Sequence, residues 1–132
     1  MPKFTRFRRT LPDEGKETYV LMRVEEVENK FYDSKKDKDH RKRQFEWEFA
    51  CKRKPEIRVK VWSSTNLSIY KGERSKALLI TETLLGKTLT DKEIDDLPGT
   101  DSLLAKECVL EIEHKTDTNG DVNAKVKNFQ MV

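Results

Sequence analysis

Apolar and polar side chains alternate most clearly in the middle of the chain, where the segments 44–51 and 56–62 place an apolar residue at every second position. Successive side chains of a strand point to opposite faces, so each segment predicts a strand with one apolar and one polar face. The apolar faces are expected to build a core that includes Trp47. The polar face of the second segment carries two cations and then an indole: Arg58, Lys60 and Trp62.

The same alternation predicts three further strands, at residues 18–28, 107–115 and 122–129. The first is apolar on both faces near its start, which is typical of a central strand. The last two flank Asn119-Gly120, a strong hairpin signal. Residues 73–85 have apolar positions at helical spacing before Gly86, and Thr90 opens a capping-box pattern. These features predict a helix and a second, brief helical turn.

Strict alternation also predicts how the outer strands orient their side chains. In residues 18–28, it places Val20, Met22 and Val24 on one face. In residues 122–129, it places Phe129 on the same face as Lys125 and Lys127. The face with these two lysines then resembles the face with Arg58, Lys60 and Trp62.

Two connecting segments carry strong and opposite local charge. Residues 29–43 contain seven lysines and arginines against three aspartates, and Phe31 and Tyr32 stand near their start. Residues 91–101 contain five acids and one lysine, and such a surface repels a polyanion. Most charged loops are simply solvated, but adjacent aromatics beside a basic loop favour contact with nucleic acid. Any nucleic acid is therefore expected away from residues 91–101.

Composition is that of a single small domain with a large charged surface. The chain has 132 residues and 15.5 kDa, and it is 35% hydrophobic and 39% charged, which suits a small β barrel. Because the net charge is only +3, a cationic surface must arise from clustering. Residues 1–17 are predicted to be a basic arm, since no acid precedes Asp13, and residues 18–132 the folded domain.

The two cysteines and the absence of long apolar runs bear on the compartment. Cys51 and Cys108 each lie in an apolar strand pattern, which predicts buried thiols rather than a disulfide. No run has the length of a membrane helix, and the basic N-terminus lacks the apolar stretch of a signal peptide. We therefore expect a cytoplasmic protein without membrane contact.

The order of predicted elements is strand, long loop, strand, short turn, strand, helix and a final hairpin. Over residues 18–132 this order resembles the OB-fold, a mainly β, five-stranded barrel with a helix between strands 3 and 4. Residues 105–126 are also similar to small bacteriophage and prophage proteins of replication and recombination modules. Those proteins are thought to be OB-fold binders of single-stranded DNA. For a phage-encoded chain, the compartment would be the cytoplasm of the host bacterium.

The resemblance implies a binding site, because OB-folds generally bind single strands on strands 2 and 3, between two flanking loops. Carried onto this sequence, it selects ten residues: Phe31, Tyr32, Arg41, Lys42, Arg43, Arg58, Lys60, Trp62, Lys125 and Lys127. Glu46 and Glu48 share the outer face and are expected to pair with its cations. The implied partners are single-stranded DNA, with RNA as an alternative, and replication or recombination proteins. No cofactor or metal is implied, and the oligomeric state stays open.

Two other classes of function fit parts of the sequence. OB-folds also bind proteins, so the chain could be an interaction module, for example a phage-encoded modulator of a host factor. Asp101, Glu113 and Lys115 match the short metal-site pattern of restriction-type nucleases. Such nucleases need a larger mixed α/β core than the few predicted helices provide. No zinc spacing, glycine-rich phosphate loop or nucleophile elbow is present, so an enzyme is not expected.

Overall fold

The computed structural model describes residues 11–28 and 43–132. The strands are β1 (Gly15–Glu28), β2 (Arg43–Cys51), β3 (Arg58–Ser63), β4 (Ile69–Tyr70), β5 (Glu73–Arg74), β6 (Glu107–Thr116) and β7 (Val122–Gln130). The helices are α1 (Lys76–Leu85) and α2 (Asp91–Asp95), followed by a 3-10 turn at Thr100–Leu103. The prediction of a mainly β protein is confirmed, and its five long strands form one antiparallel sheet accompanied by a short helix.

The sheet has the strand order β3-β2-β1-β6-β7, so β1 is the central strand, as its apolar composition predicts. A bulge interrupts β1 between Leu21 and Arg23. Tyr19 and Leu21 are fully buried before it, whereas Met22 is 45% exposed. Val24, after the bulge, packs against the same core as Tyr19 and Leu21. The prediction that Val20, Met22 and Val24 share one face is therefore wrong, because the extra residue of a bulge reverses the alternation.

The predicted closed barrel is not found in the part of the chain that the structure describes. The sheet ends at β3 on one side and at β7 on the other, and no ladder joins these two strands there. Both edges instead line one cleft, together with Leu11 and Pro12. Because β3 has only six residues, it offers a short edge for pairing. The result is a curved, open sheet.

The inner face of the sheet packs around Trp47, which is 1% exposed. Its indole Nε1 donates a hydrogen bond to Ser63 Oγ at 2.8 Å, so the one polar atom of the ring is satisfied inside the core. The ring of Phe45 meets it edge-on, with centroids 6.0 Å apart. Ala77 and Ile80 of α1 join the same core cluster. The prediction that Trp47 belongs to the core is confirmed.

Both cysteines are buried free thiols, as predicted. Tyr19 of the central strand lies opposite Cys51 on one side and Cys108 on the other. Two strand spacings therefore separate the thiols, about 9–10 Å, which exceeds the reach of a disulfide. Burial raises the pKa of the Cys108 thiol to about 12.

Local capping explains where α1 begins and ends. The side chain of Ser75 accepts a hydrogen bond from the backbone N–H of Leu78 at 3.3 Å, which is a typical N-cap. Gly86 ends the helix in the left-handed region, with a φ of 75°, where a side chain would be strained. The capping box at Thr90 and Glu93 is present in α2 as well.

Candidate nucleic-acid interface

Arg58, Lys60 and Trp62 lie on the outer face of β3, because they occupy alternate positions while Val61 and Ser63 point into the core. The Trp62 side chain is 47% exposed, in contrast to the buried Trp47. At about 6.6 Å for every two residues of a strand, the three side chains extend along roughly 13 Å of surface. The sequence placed these residues on one outer face, and the structure does the same.

The same three residues line a cleft of about 320 Å³ between the two edges of the sheet. Asn123 and Ala124 of β7 form the opposite wall. A cleft that combines an exposed indole with cations and backbone groups of two strand edges provides a surface for stacking and a route for a charged chain.

The charges on this face are partly neutralised by neighbouring carboxylates, as expected. The Lys60 ammonium lies 3.0 Å from Glu46 Oε1. Glu48 pairs instead with Arg23, whose Nε is 3.2 Å from Glu48 Oε2. Arg58 donates to the carbonyl oxygen of Pro55 at 3.1 Å and forms no ion pair with the residues that the structure describes. Within residues 11–28 and 43–132, Arg58 is therefore the cation of β3 that no carboxylate neutralises.

Lys125 and Lys127 are exposed on β7, at the other edge of the sheet. Lys125 lies opposite Glu113 of β6 and follows the cleft residue Ala124. Phe129 does not share their face, because a bulge between Glu111 and Ile112 shifts the register and turns Phe129 toward the core. The predicted lysine-lysine-phenylalanine face is wrong in this last residue.

The remaining predicted residues come from the first long loop. Arg43 opens β2, and its guanidinium lies 3.6 Å from a carboxylate oxygen of Glu26, on the exposed surface. Arg43 precedes Glu46 by three residues in β2, and Glu46 lies directly opposite Trp62 of β3. Phe31, Tyr32, Arg41 and Lys42 lie outside the described residues, so their roles stay predictions.

Sequence reasoning missed Lys76, the first residue of α1. Partial burial lowers the pKa of its ammonium, and the nearby charge of Lys125 lowers it further. The two lysines therefore lie close enough for their charges to interact, although neither is among the residues that line the cleft. One indication of this position is present in the sequence. Lys76 directly precedes the apolar positions of the predicted helix, which places it at the surface near the sheet.

Leu11 and Pro12 were also missed as part of the cleft wall. Pro12 is buried, and its carbonyl oxygen lies 2.6 Å from His114 Nε2. The backbone N–H of His114 donates to a carboxylate oxygen of Glu14 at 3.2 Å. These contacts join residues about a hundred positions apart, so local sequence patterns could not predict them. They hold the start of the described chain against β6.

The acidic segment around α2 forms a separate surface, and Asp91, Asp95 and Asp96 are exposed there. Among residues 11–28 and 43–132, no three acids, histidines or cysteines are grouped as a metal site. Asp101 lies in the 3-10 turn, whereas Glu113 faces Lys125 across β6 and β7. Over the same residues, none of the helices combines the length and the apolar character that spanning a bilayer requires.

Comparison with known proteins does not indicate a function, so the function is inferred from the geometry of the cleft. No protein-family model matches this chain, and no curated protein matches it.

Proposed function

We propose that this chain binds single-stranded nucleic acid, DNA in the first place, in the cleft between β3 and β7. The observation that carries the proposal is the half-exposed indole of Trp62, which lines that cleft together with Arg58, Lys60 and Asn123. The role is binding rather than catalysis. From the resemblance of residues 105–126 to phage and prophage proteins, we further propose a role in replication or recombination in a bacterial cytoplasm, beside other proteins of those processes.

An OB-fold-like architecture supports this reading. The first three long strands form a meander, and β1 then pairs with β6 on its other side, while β7 continues from β6. In chain order, α1 stands between β3 and β6. We infer a partly open barrel whose gap between β3 and β7 is the binding cleft, because OB-folds present strands 2 and 3 to single strands.

The mechanism tolerates any base sequence. A base stacks on the exposed face of Trp62, since every base has a π-face to offer. The Arg58 guanidinium binds a phosphate, and the pair Lys76 and Lys125 accepts another beyond the β7 edge. Each cation that contacts a phosphate releases a counterion, so affinity falls as the salt concentration rises. The acidic surface around α2 keeps the polyanion off that part of the molecule.

Replacing Trp62 with alanine tests the proposal. Loss of one stacked base costs on the order of 1–3 kcal/mol, so we expect affinity for labelled oligothymidylate to fall roughly 5- to 150-fold. Fluorescence anisotropy at about 50 mM and about 200 mM NaCl measures both the affinity and its salt dependence. Oligouridylate in the same assay compares RNA with DNA.

Tyr70→Ala is the matched control, because Tyr70 is a 72% exposed aromatic residue on β4, outside the lining of the cleft. This variant should bind as the wild type does. If the wild type fails to bind at low salt, single-strand binding is excluded. If both variants lose affinity equally, the chain binds single strands elsewhere than at Trp62.

Replacing Glu46 with glutamine should strengthen binding. Glu46 holds the Lys60 ammonium at 3.0 Å, and its removal leaves that cation to the phosphates. Lys60 is about half exposed in this pair, and ion pairs at the surface contribute about 0.2–1 kcal/mol, so the expected gain is roughly twofold to fivefold at low salt. Glu56→Gln is the control, because it removes an exposed carboxylate from the β2–β3 turn. Equal affinities of the two variants would show that Lys60 lies off the path of the strand.

A further inference from the structure

A second pocket, on the inner side of the sheet, has a different chemistry from the cleft. It has a volume of about 170 Å³ and a mainly apolar lining that includes Phe45, Leu67, Leu97 and Leu103. Pro98 and Gly99 form part of its wall, and both are exposed. Cavities of this order accept a benzene-sized group. The pocket is therefore large enough for one aromatic or branched aliphatic side chain.

Acidic side chains border the pocket. Asp96 directly precedes the lining residue Leu97, and Asp101 lies between the lining residues Thr100 and Ser102. Both aspartates are exposed, and neither forms an ion pair within the described part of the chain. Glu93 nearby is different, because Lys87 lies 2.6 Å from its carboxylate. The pocket thus has an apolar interior and a rim with two carboxylates that have no cationic partner among residues 11–28 and 43–132.

We propose that this pocket docks a basic segment of a partner protein, which inserts one aromatic or aliphatic side chain between flanking lysines or arginines. The interior matches the anchor in size and polarity, and the rim matches the flanking cations in charge. A nucleic acid does not fit here, because the rim repels phosphates. The pocket and the cleft are lined by different residues, so a partner and a single strand bind the molecule at the same time.

The probe is a synthetic peptide of one phenylalanine with two arginines on either side, titrated into labelled protein and followed by amide chemical shifts. Shifts are expected at residues 97–103 and at Thr65. The same peptide with alanine in place of phenylalanine should bind about tenfold more weakly or worse, since it lacks the apolar anchor. Equal binding of the two peptides, or shifts confined to the cleft, would overturn the proposal.

Two variants test separately how the apolar interior and the charged rim contribute to peptide binding. Gly99→Phe fills the mouth of the pocket; the backbone φ of −62° suits any residue, and a Cβ there meets no atom within 4 Å. It should abolish peptide binding while oligothymidylate binding stays unchanged. Asp96→Asn with Asp101→Asn should weaken the peptide roughly twofold to fivefold, because it removes the rim charge.

The control for the rim is Glu56→Gln with Asp121→Asn, which removes two exposed carboxylates from the β2–β3 and β6–β7 turns. This variant should bind the peptide as the wild type does. Thermal unfolding checks that each variant is folded. Wild-type affinity in the rim variant would mean that charge does not select the partner, and the proposal would fail.

Discussion

Replacing Trp47 with alanine is expected to lower the free energy of unfolding by about 3–5 kcal/mol. The indole is 1% exposed, so its removal leaves a cavity between β2, β3 and α1. It also removes the 2.8 Å hydrogen bond that the indole Nε1 donates to Ser63 Oγ. The Ser63 hydroxyl still donates its hydrogen bond to the carbonyl oxygen of Ser64. Because small domains are stable by about 5–15 kcal/mol, this is a large share of the total.

Urea unfolding followed by far-ultraviolet circular dichroism measures the change, since that signal does not depend on the deleted tryptophan. Trp62→Ala is the internal comparison, because Trp62 is 47% exposed and should cost less than about 1 kcal/mol. The two substitutions should thus separate stability from binding: the first destabilises the fold, and the second weakens the nucleic-acid complex. A small effect at Trp47 would contradict the packing of this core.

Replacing Glu82 with glutamine should lower the free energy of unfolding by about 2 kcal/mol. Glu82 is 5% exposed, and its carboxylate accepts hydrogen bonds from Arg74 Nε at 2.8 Å and from the backbone N–H of Leu89 at 2.6 Å. It therefore ties the segment before α1 to the segment after it. The neutral amide loses the charge that Arg74 needs in a partly buried site.

Chemical denaturation measures this loss, with Glu73→Gln as the matched control. Glu73 is exposed on β5 and has no ion pair among the described residues, so its substitution should leave the unfolding midpoint unchanged. Equal midpoints for Glu82→Gln and the wild type would mean that the bonds from Arg74 and Leu89 contribute no net stability. Since α1 also positions Lys76, the Glu82 variant should in addition weaken oligonucleotide binding modestly.

Single-strand binding and peptide docking can be separated because they use different surfaces. The cleft is formed by the outer face of β3 and the edge of β7. The apolar pocket lies under the segment that follows α2. If the oligonucleotide does not bind, the proposed single-strand binding is wrong. The peptide titration still tests independently whether the pocket docks a basic segment.

Local patterns predicted the long strands well, because alternation reports the period of a strand directly. In side-chain orientation they failed at Val24 and at Phe129, and both failures come from bulges. They also extended the helix of residues 73–85 over Glu73 and Arg74, which form β5. A bulge inserts one residue into a ladder, and its position depends on the partner strand as much as on the bulged one. A single sequence therefore gives no warning of the reversal.

For the candidate site, too, some features follow from the local sequence pattern and others depend on contacts between strands. Alternation alone placed Arg58, Lys60 and Trp62 on one outer face, as the structure has them, and the low net charge predicts that any cationic surface arises from clustering. The pairing of Lys60 with Glu46, rather than with its direct neighbour Glu48, depends on how Arg23 of β1 competes for the carboxylates. Such competition is decided by distances across three strands, which the order of residues does not contain.

By itself, then, the sequence determined the strand-forming segments, the capping residues at Thr90 and Gly86 and the exposed cations of β3, since each depends on neighbours along the chain. The tertiary structure alone decided that the sheet stays open between β3 and β7, and that Leu11 and Pro12 come to border the gap. Those features arise from contacts between residues far apart in sequence. Their energies depend on packing and register, so they become visible only when the strands are assembled.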